Sequence, residues 1–278
     1  ESRAIFCDAS YLPILKENVH RLPDIENVIC FDKTQVTAGS LRLHDFDTLL
    51  ESGRTLDKHE YDMLQNDPMK LRMLVYTSGT TGMAKGVMLS EHNLVSSVYY
   101  GLQVSTVYDT CLSVLPYHHT YEAVSGLLVS LHKRSTICIN DKIRNVQKNL
   151  MQYRPSYVYL VPAFAEFFYK KINESIDKNG KRKDFDKALK LSNTLLKIGV
   201  DVRRKLFKNI HEQFGGRLIK IVCGGAPIRP EVGDFFNAIG INLINGYGIT
   251  ECSPLVSANN DTFNDPSTVG IKLPCLDI

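Results

Sequence analysis

Short runs of apolar and β-branched residues recur along this chain between segments of helical spacing, and that alternation constrains the fold more than any other feature. Residues 3–7, 27–31, 73–76, 111–115, 135–139, 157–161 and 218–223 each read as a buried strand. They are short, and rich in side chains that pack on a pleated surface. Between them, Ile143, Val146, Leu150 and Met151 share one helical face, as do Phe164, Phe167, Phe168 and Ile172, and then Val202, Leu206, Ile210 and Phe214. Strands alternating with helices predict a layered α/β fold with mainly parallel sheets and flanking helices. Ligands of such folds sit beyond the carboxyl ends of the strands, so the residues that follow each run are where chemistry is expected.

Glycine follows three of the apolar runs. After residues 73–76 come Thr77, Ser78, Gly79, Thr80, Thr81, Gly82, Met83, Ala84, Lys85 and Gly86, with a helix start predicted at Ser90 to Asn93, which makes this a strand-to-helix loop. Its glycines let backbone N–H groups approach an anion, its hydroxyls add donors and Lys85 adds charge, a set that suits a polyphosphate. The Walker pattern is not matched, because Ala84 stands where a Gly-Lys-Ser/Thr run would begin, and a P-loop NTPase is disfavoured. Alone, such a run serves equally well as a surface loop. Gly224, Gly225, Ala226 and Pro227 follow residues 218–223, and Asn245, Gly246, Tyr247, Gly248, Ile249, Thr250 and Glu251 follow residues 241–244. Each again reads as a strand ending in a glycine turn.

With 278 residues, 44% of them hydrophobic, the chain can bury a large core in one or two lobes. A net charge of +3, with no aromatic residues interleaved in a basic stripe, argues against nucleic acid as a partner. The seven cysteines are scattered with no C-x-x-C pair and read as reduced thiols of a cytoplasmic protein. No stretch resembles a signal peptide or a run of about 20 apolar residues that would span a bilayer. Peripheral membrane contact stays open, since residues 175–183, read as a loop, cluster Lys178, Lys181, Arg182 and Lys183. That cluster reads first as a solvated surface insertion, and second as a contact for anionic headgroups or CoA phosphates. A metal-ligand cluster is not indicated, because His118 and His119 are adjacent and no cysteines group, and a G-x-S-x-G elbow is missing.

Together with Leu115, Pro116, Tyr117, His118, His119, Thr120, Tyr121 and Glu122, the three glycine segments resemble, in order and spacing, the signature motifs of the adenylate-forming (AMP-binding) superfamily. That superfamily comprises acyl-CoA synthetases, luciferases and peptide-synthetase adenylation domains. The resemblance extends over nearly the whole chain, and the runs at residues 118–122 and 246–254 are most similar to bacterial long-chain fatty acid–CoA ligases. It implies that residues 1–278 are the central part of an N-terminal adenylation domain. The first part of that domain, a ribose-binding aspartate, the hinge and the C-terminal lid with its lysine would then lie outside them.

The resemblance further implies a reaction in which a fatty acid carboxylate attacks the α-phosphate of ATP, and the acyl-adenylate is then captured by the thiol of coenzyme A. By the same resemblance Thr77, Ser78, Gly79, Thr80, Thr81, Gly82 and Lys85 hold the β/γ-phosphates. Gly224, Gly225, Ala226 and Pro227 line the adenine with Tyr247 stacked opposite, and Asn245 and Gly246 complete the wall. Thr250 donates to the α-phosphate, and Glu251 binds Mg²⁺, a cation that favours one or two carboxylates plus phosphate oxygens. His119 lies near the acyl carboxylate without acting as a base, because that carboxylate is ionised at neutral pH. Tyr121, Gly126, Leu127 and Leu128 suit an acyl tail or ordinary helix core equally. The alternatives are an adenylation domain that loads an aryl or amino acid onto a carrier protein, and a nucleotide-binding module without catalysis.

Overall fold

The computed structural model describes residues 2–34, 38–78 and 82–277. The chain divides into two compact units, Glu1–Asn66 and Asp67–Ile278. In the first, β1 (Ala4–Cys7), β2 (Asn27–Cys30) and β3 (Arg42–Asp45) form a parallel sheet in the order β1-β2-β3. Helices α1 (Leu12–Asn18) and α2 (Phe46–Arg54) accompany it, and α2 is capped by Asp45, whose carboxylate accepts from the Thr48 N–H at 2.9 Å. Leu12, Val28, Cys30 and Ala38 make a small core. The β1 run is not the buried strand expected of residues 3–7, because its side chains alternate between exposed and half-buried.

The second unit is built on two sheets. One is an antiparallel pair of β4 (Leu71–Ser78) and β5 (Ala84–Ser90). The other contains β6 (Thr110–Ser113), β7 (Thr136–Ile139), β8 (Tyr157–Leu160), β9 (Lys220–Cys223), β10 (Asn242–Gly248), β11 (Leu255–Ala258) and β12 (Ile271–Lys272) in the order β12-β11-β10-β9-β8-β6-β7. Pairing is parallel from β10 through β7, while β11 and β12 add antiparallel edges. The layered, mainly parallel architecture is the one the alternation predicts.

Side-chain alternation separates two cores across the large sheet. Leu112, Val158, Leu160, Ile221 and Cys223 face α4 (Val146–Tyr153), α5 (Pro162–Lys178) and α7 (Pro230–Ala238) through Val146, Leu150, Ala165, Phe168, Ile172, Val232 and Phe236. On the opposite face Cys111, Tyr157, Tyr159 and Val222 pack with Leu94 and Val98 of α3 (Glu91–Val104) and with Val124 of a π-helix, Tyr121–Leu128. Of the apolar residues assigned to helix cores, Ile143, Met151, Phe167 and Leu206 face outward instead.

Four expectations are corrected. The glycine run after residue 76 is not a strand-to-helix loop: Thr77 and Ser78 belong to β4 and pair with Lys85 and Ala84 of β5, so the run lies between two strands, and α3 begins only after Ser90. Nor is β4 buried, since Leu74 and Tyr76 point outward and only Met73, Val75 and Thr77 are half-covered. Strand β10 runs on through Gly246, Tyr247 and Gly248 rather than ending in a glycine turn before them, because these residues pair with Ala258, Ser257 and Leu255. Residues 175–178 are helical, held by Ile176 packing on the core, and the basic cluster continues into α6 (Arg182–Lys197) with Arg182 forked onto Asp177 at 2.8 and 3.0 Å.

Candidate active site

The candidate site is a cavity of about 370 Å³ in the second unit, on the sheet face covered by α3 and the π-helix. Its first wall is α3, whose start is fixed by a reciprocal cap. The Asn93 N–H donates to Ser90 Oγ at 3.2 Å, and the Ser90 N–H donates to Asn93 Oδ1 at 2.9 Å. The second wall is the π-helix, anchored by Tyr121. Its hydroxyl donates to the carbonyls of Val222 (3.0 Å) and Leu160 (3.3 Å), near the ends of β9 and β8, and desolvation among the packed strands holds its pKa well above the usual phenol value. This anchoring places His119, two residues earlier, at the carboxyl end of the parallel strands and on the cavity.

Gly224 and Gly225 leave β9 at the same end. Gly225 has φ +86°, a left-handed conformation that disfavours side chains. At Gly224 a Cβ would lie 3.2 Å from the Gly246 carbonyl and 3.4 Å from the Tyr121 ring, so only glycine leaves the gap open. Gly246 and Tyr247 of β10 continue the wall, Tyr247 with its ring half exposed, and Thr250 closes it at a 3₁₀ turn, Thr250–Cys252. The structure thus gathers His119, Gly224, Gly225, Gly246, Tyr247 and Thr250 around one space, although they are separated by up to 131 residues of sequence (250 − 119).

The other expected site residues stand apart from the cavity. Ala226 and Pro227 are exposed beyond the turn, and Asn245 points away, its amide donating to the Thr268 carbonyl at 2.8 Å. Glu251 is exposed next to Thr250 without an ion pair among the described residues. Thr77, Ser78, Gly82 and Lys85 belong to the β4–β5 region, where β5 packs against the Thr250–Cys252 turn, while Gly79, Thr80 and Thr81 lie outside the described residues.

Glu122 is the residue that sequence reasoning left without a role. It has no solvent exposure, Ser113 Oγ donates to its Oε1, and Oε2 has no side-chain or backbone partner within hydrogen-bond reach among the described residues, so burial pushes its pKa up to about 7 against the downward pull of the serine and of the nearby Leu115 and Val114 backbone. Gly126 makes this possible, because a Cβ there would sit 2.7 Å from the carboxyl carbon. A glutamate four residues before a glycine in an otherwise apolar helix was the available signal.

A backbone-walled slot, an imidazole and a hydroxyl at one end, and Leu102, Val124 and Val129 further in, suit a ligand with a flat anionic head and an apolar tail. Among the described residues no three metal-ligating side chains cluster. A lone exposed carboxylate at Glu251 nevertheless fits a cation that takes most of its ligands from phosphate and water. No helix of the described residues is long and apolar enough to cross a membrane.

Known proteins with this sequence pattern and fold are informative at this point. The family described as AMP-binding enzyme matches residues 1–278. Long chain acyl-CoA synthetase 6, peroxisomal, of Arabidopsis thaliana is 26% identical over 99% of this chain and 41% of its own length. Long-chain-fatty-acid–CoA ligase 6 of Mus musculus is 30% identical over 75% of this chain and 32% of its own length. The chain therefore spans about two fifths or less of the curated relatives it matches. Among solved structures, the adenylation domain of a carboxylate reductase from Mycobacterium chelonae superimposes with a TM-score of 0.71 at 21% identity, over 92% of this chain and 41% of that one. An anthranilate CoA ligase in complex with anthranoyl-AMP gives 0.68 at 16%, over 98% and 45%. With the fold, the glycine-walled slot and the whole-chain match in agreement, this chain belongs to the AMP-binding enzyme family.

Proposed function

We propose that this chain is the nucleotide- and acyl-binding part of an AMP-forming long-chain fatty acid–CoA ligase. The observation that carries the reading is the convergence of His119, Gly224, Gly246, Tyr247 and Thr250 on one cavity that continues into an apolar interior. The names of the curated relatives support the acyl class.

In this reading the adenine slides between Gly224–Gly225 and the Tyr247 ring, where absent side chains allow close stacking. Thr250 donates to the α-phosphate, and Lys85, with Thr77 and Ser78, faces the outer phosphates from the β4–β5 pair. The fatty acid carboxylate beside His119 attacks the α-phosphorus. The new O–P bond forms as the bond to the β-phosphate oxygen breaks, and pyrophosphate leaves with that electron pair. The thiol of coenzyme A, losing its proton, then displaces AMP from the acyl carbon. Both reactants of the first step are anions, so the protein's contribution is to position them and offset charge with fixed donors. Glu251 would hold Mg²⁺, which when bound supplies positive charge against the triphosphate.

The test is ATP–pyrophosphate exchange by the intact protein with palmitate, for the wild type and Glu251→Gln. Exchange with palmitate, reduced about 10²-fold or more in the folded variant, is expected. Exchange with an aryl or amino acid but not palmitate would move the assignment to a different carboxylate. Undiminished exchange in the variant would remove Glu251 from the site.

A further inference from the structure

Ser97, Gly101 and Ser105 stand four residues apart along and just beyond α3, and all three border the cavity. Eight residues of helix make this strip about 12 Å long. Small side chains alone would indicate only room, and at Gly101 the helix packs so closely on Leu255 that an added Cβ would lie 3.3 Å from it. The two hydroxyls add a second observation. Ser97 is 6% exposed, and its hydroxyl makes no hydrogen bond among the described residues although it borders a cavity whose inner wall includes Leu102, Val107, Val124 and Val129.

Ser105 marks the far end of the same space. Its Oγ accepts from Lys220 Nζ at 2.9 Å, and Lys220 opens β9 whereas Gly224 follows it, so about 13 Å of strand separates the two ends of the cavity. The Lys220 ammonium is fully buried and spends its remaining protons on the Thr106 carbonyl (2.6 Å) and on Asp261 (2.7 Å). Ser105 is already an acceptor toward Lys220, and its own proton has no acceptor among the described residues. The cavity is therefore polar at both ends: at His119 and Thr250 where a carboxylate would react, and at Ser105 roughly ten extended carbons away.

We propose that the acyl subsite of this chain takes a carboxylic acid bearing an oxygen, a hydroxyl in the first instance, on the order of ten carbons from its carboxylate. The proposal rests on the reading above for where the carboxylate lies. A plain alkyl chain reaching this end would displace water from Ser105 and leave the proton of its hydroxyl without an acceptor. A hydroxyl at that depth accepts the Ser105 proton and restores the pairing. Sites built to hydrogen-bond a substrate hydroxyl discriminate against the analogue that lacks it.

Calorimetric binding of ω-hydroxydecanoate and decanoate to this chain tests the proposal independently of catalysis. The hydroxy acid is expected to bind at least about fivefold more tightly. Ser105→Ala should bring the ratio close to one. Because that variant also takes an acceptor from Lys220, wild-type binding of 5-hydroxydecanoate is the second measurement: its oxygen falls short of Ser105, and it should show no advantage over decanoate. Equal or tighter binding of decanoate, binding of neither acid, an equal advantage for 5-hydroxydecanoate, or an unchanged ratio in folded Ser105→Ala would overturn the inference. Exchange with palmitate in the absence of any hydroxyl preference would leave the proposed function standing alone. A binding preference without exchange would leave only the inference.

Discussion

Glu122 carries the clearest consequence of a single side chain. Its folded pKa of about 7 lies above the ordinary 4.5, so the folded state retains a proton that the unfolded chain has released. The stabilisation this represents is complete below about pH 4.5 and is lost as pH rises through about 7, giving a stability that falls across that window. Glu122→Gln mimics the protonated form without the charge. It should match the wild type near pH 5 and exceed it near pH 8 by up to about 3 kcal/mol, measured by urea unfolding at both values. A variant less stable than wild type near pH 8 would show that the fold needs the anion. Sequence could name His119, Gly224, Tyr247 and Thr250 because their chemistry is carried by residue type and order. It could not distinguish Glu122 from Glu251, one sealed and the other exposed, since burial is decided by what packs above each carboxylate. Asn245 shows the converse: it sits inside a motif, yet its amide is used to hold the Thr268 carbonyl.

The π-helix and α3 together form the roof over the cavity, and each depends on a local fit. In Gly126→Ala the new methyl would meet the Glu122 carboxyl group, at 2.7 Å from its carbon, and unfolding free energy should fall by about 1–3 kcal/mol. Thermal or urea unfolding of the single and double variants checks the cause. The loss should shrink in a Glu122→Ala background, where the methyl has room, and an unchanged loss would place the conflict elsewhere. Most parallel strands and their helices were legible because each is a contiguous apolar run with its own period. Strand β5 was not, because Lys85 and Gly86 have weak strand preference and Ala84–Ser90 becomes a strand only by pairing with β4. The same holds for Gly246, Tyr247 and Gly248, which are extended because β11 returns alongside them. Residues 202–214 keep Ile210 and Phe214 buried as their spacing implies, but the helix breaks at Phe207, which turns its own ring into the core.

Over the whole molecule, the two units differ sharply in how much apolar surface they bury. Glu1–Asn66 rests on a three-stranded sheet and a core of Leu12, Val28, Cys30 and Ala38, whereas Asp67–Ile278 contains the large sheet with a core on each face. Small domains bury too little surface to offset chain entropy comfortably. Residues 67–278 expressed alone should therefore unfold cooperatively in urea, and residues 1–66 alone should show weak or no cooperative transition by circular dichroism; a cooperative 1–66 would mean its core is underrated. What the sequence by itself determined is the alternation of strand and helix, hence a layered parallel sheet, and the order and spacing of the glycine, histidine, tyrosine and threonine motifs that resemble one family's. Periodicity and residue chemistry are local properties that survive in a linear string. What only the tertiary structure decided is which of those residues share a space, which carboxylate is sealed from water, and that Ser97 and Ser105 border the same cavity, because each depends on strands and helices distant in sequence closing over one another.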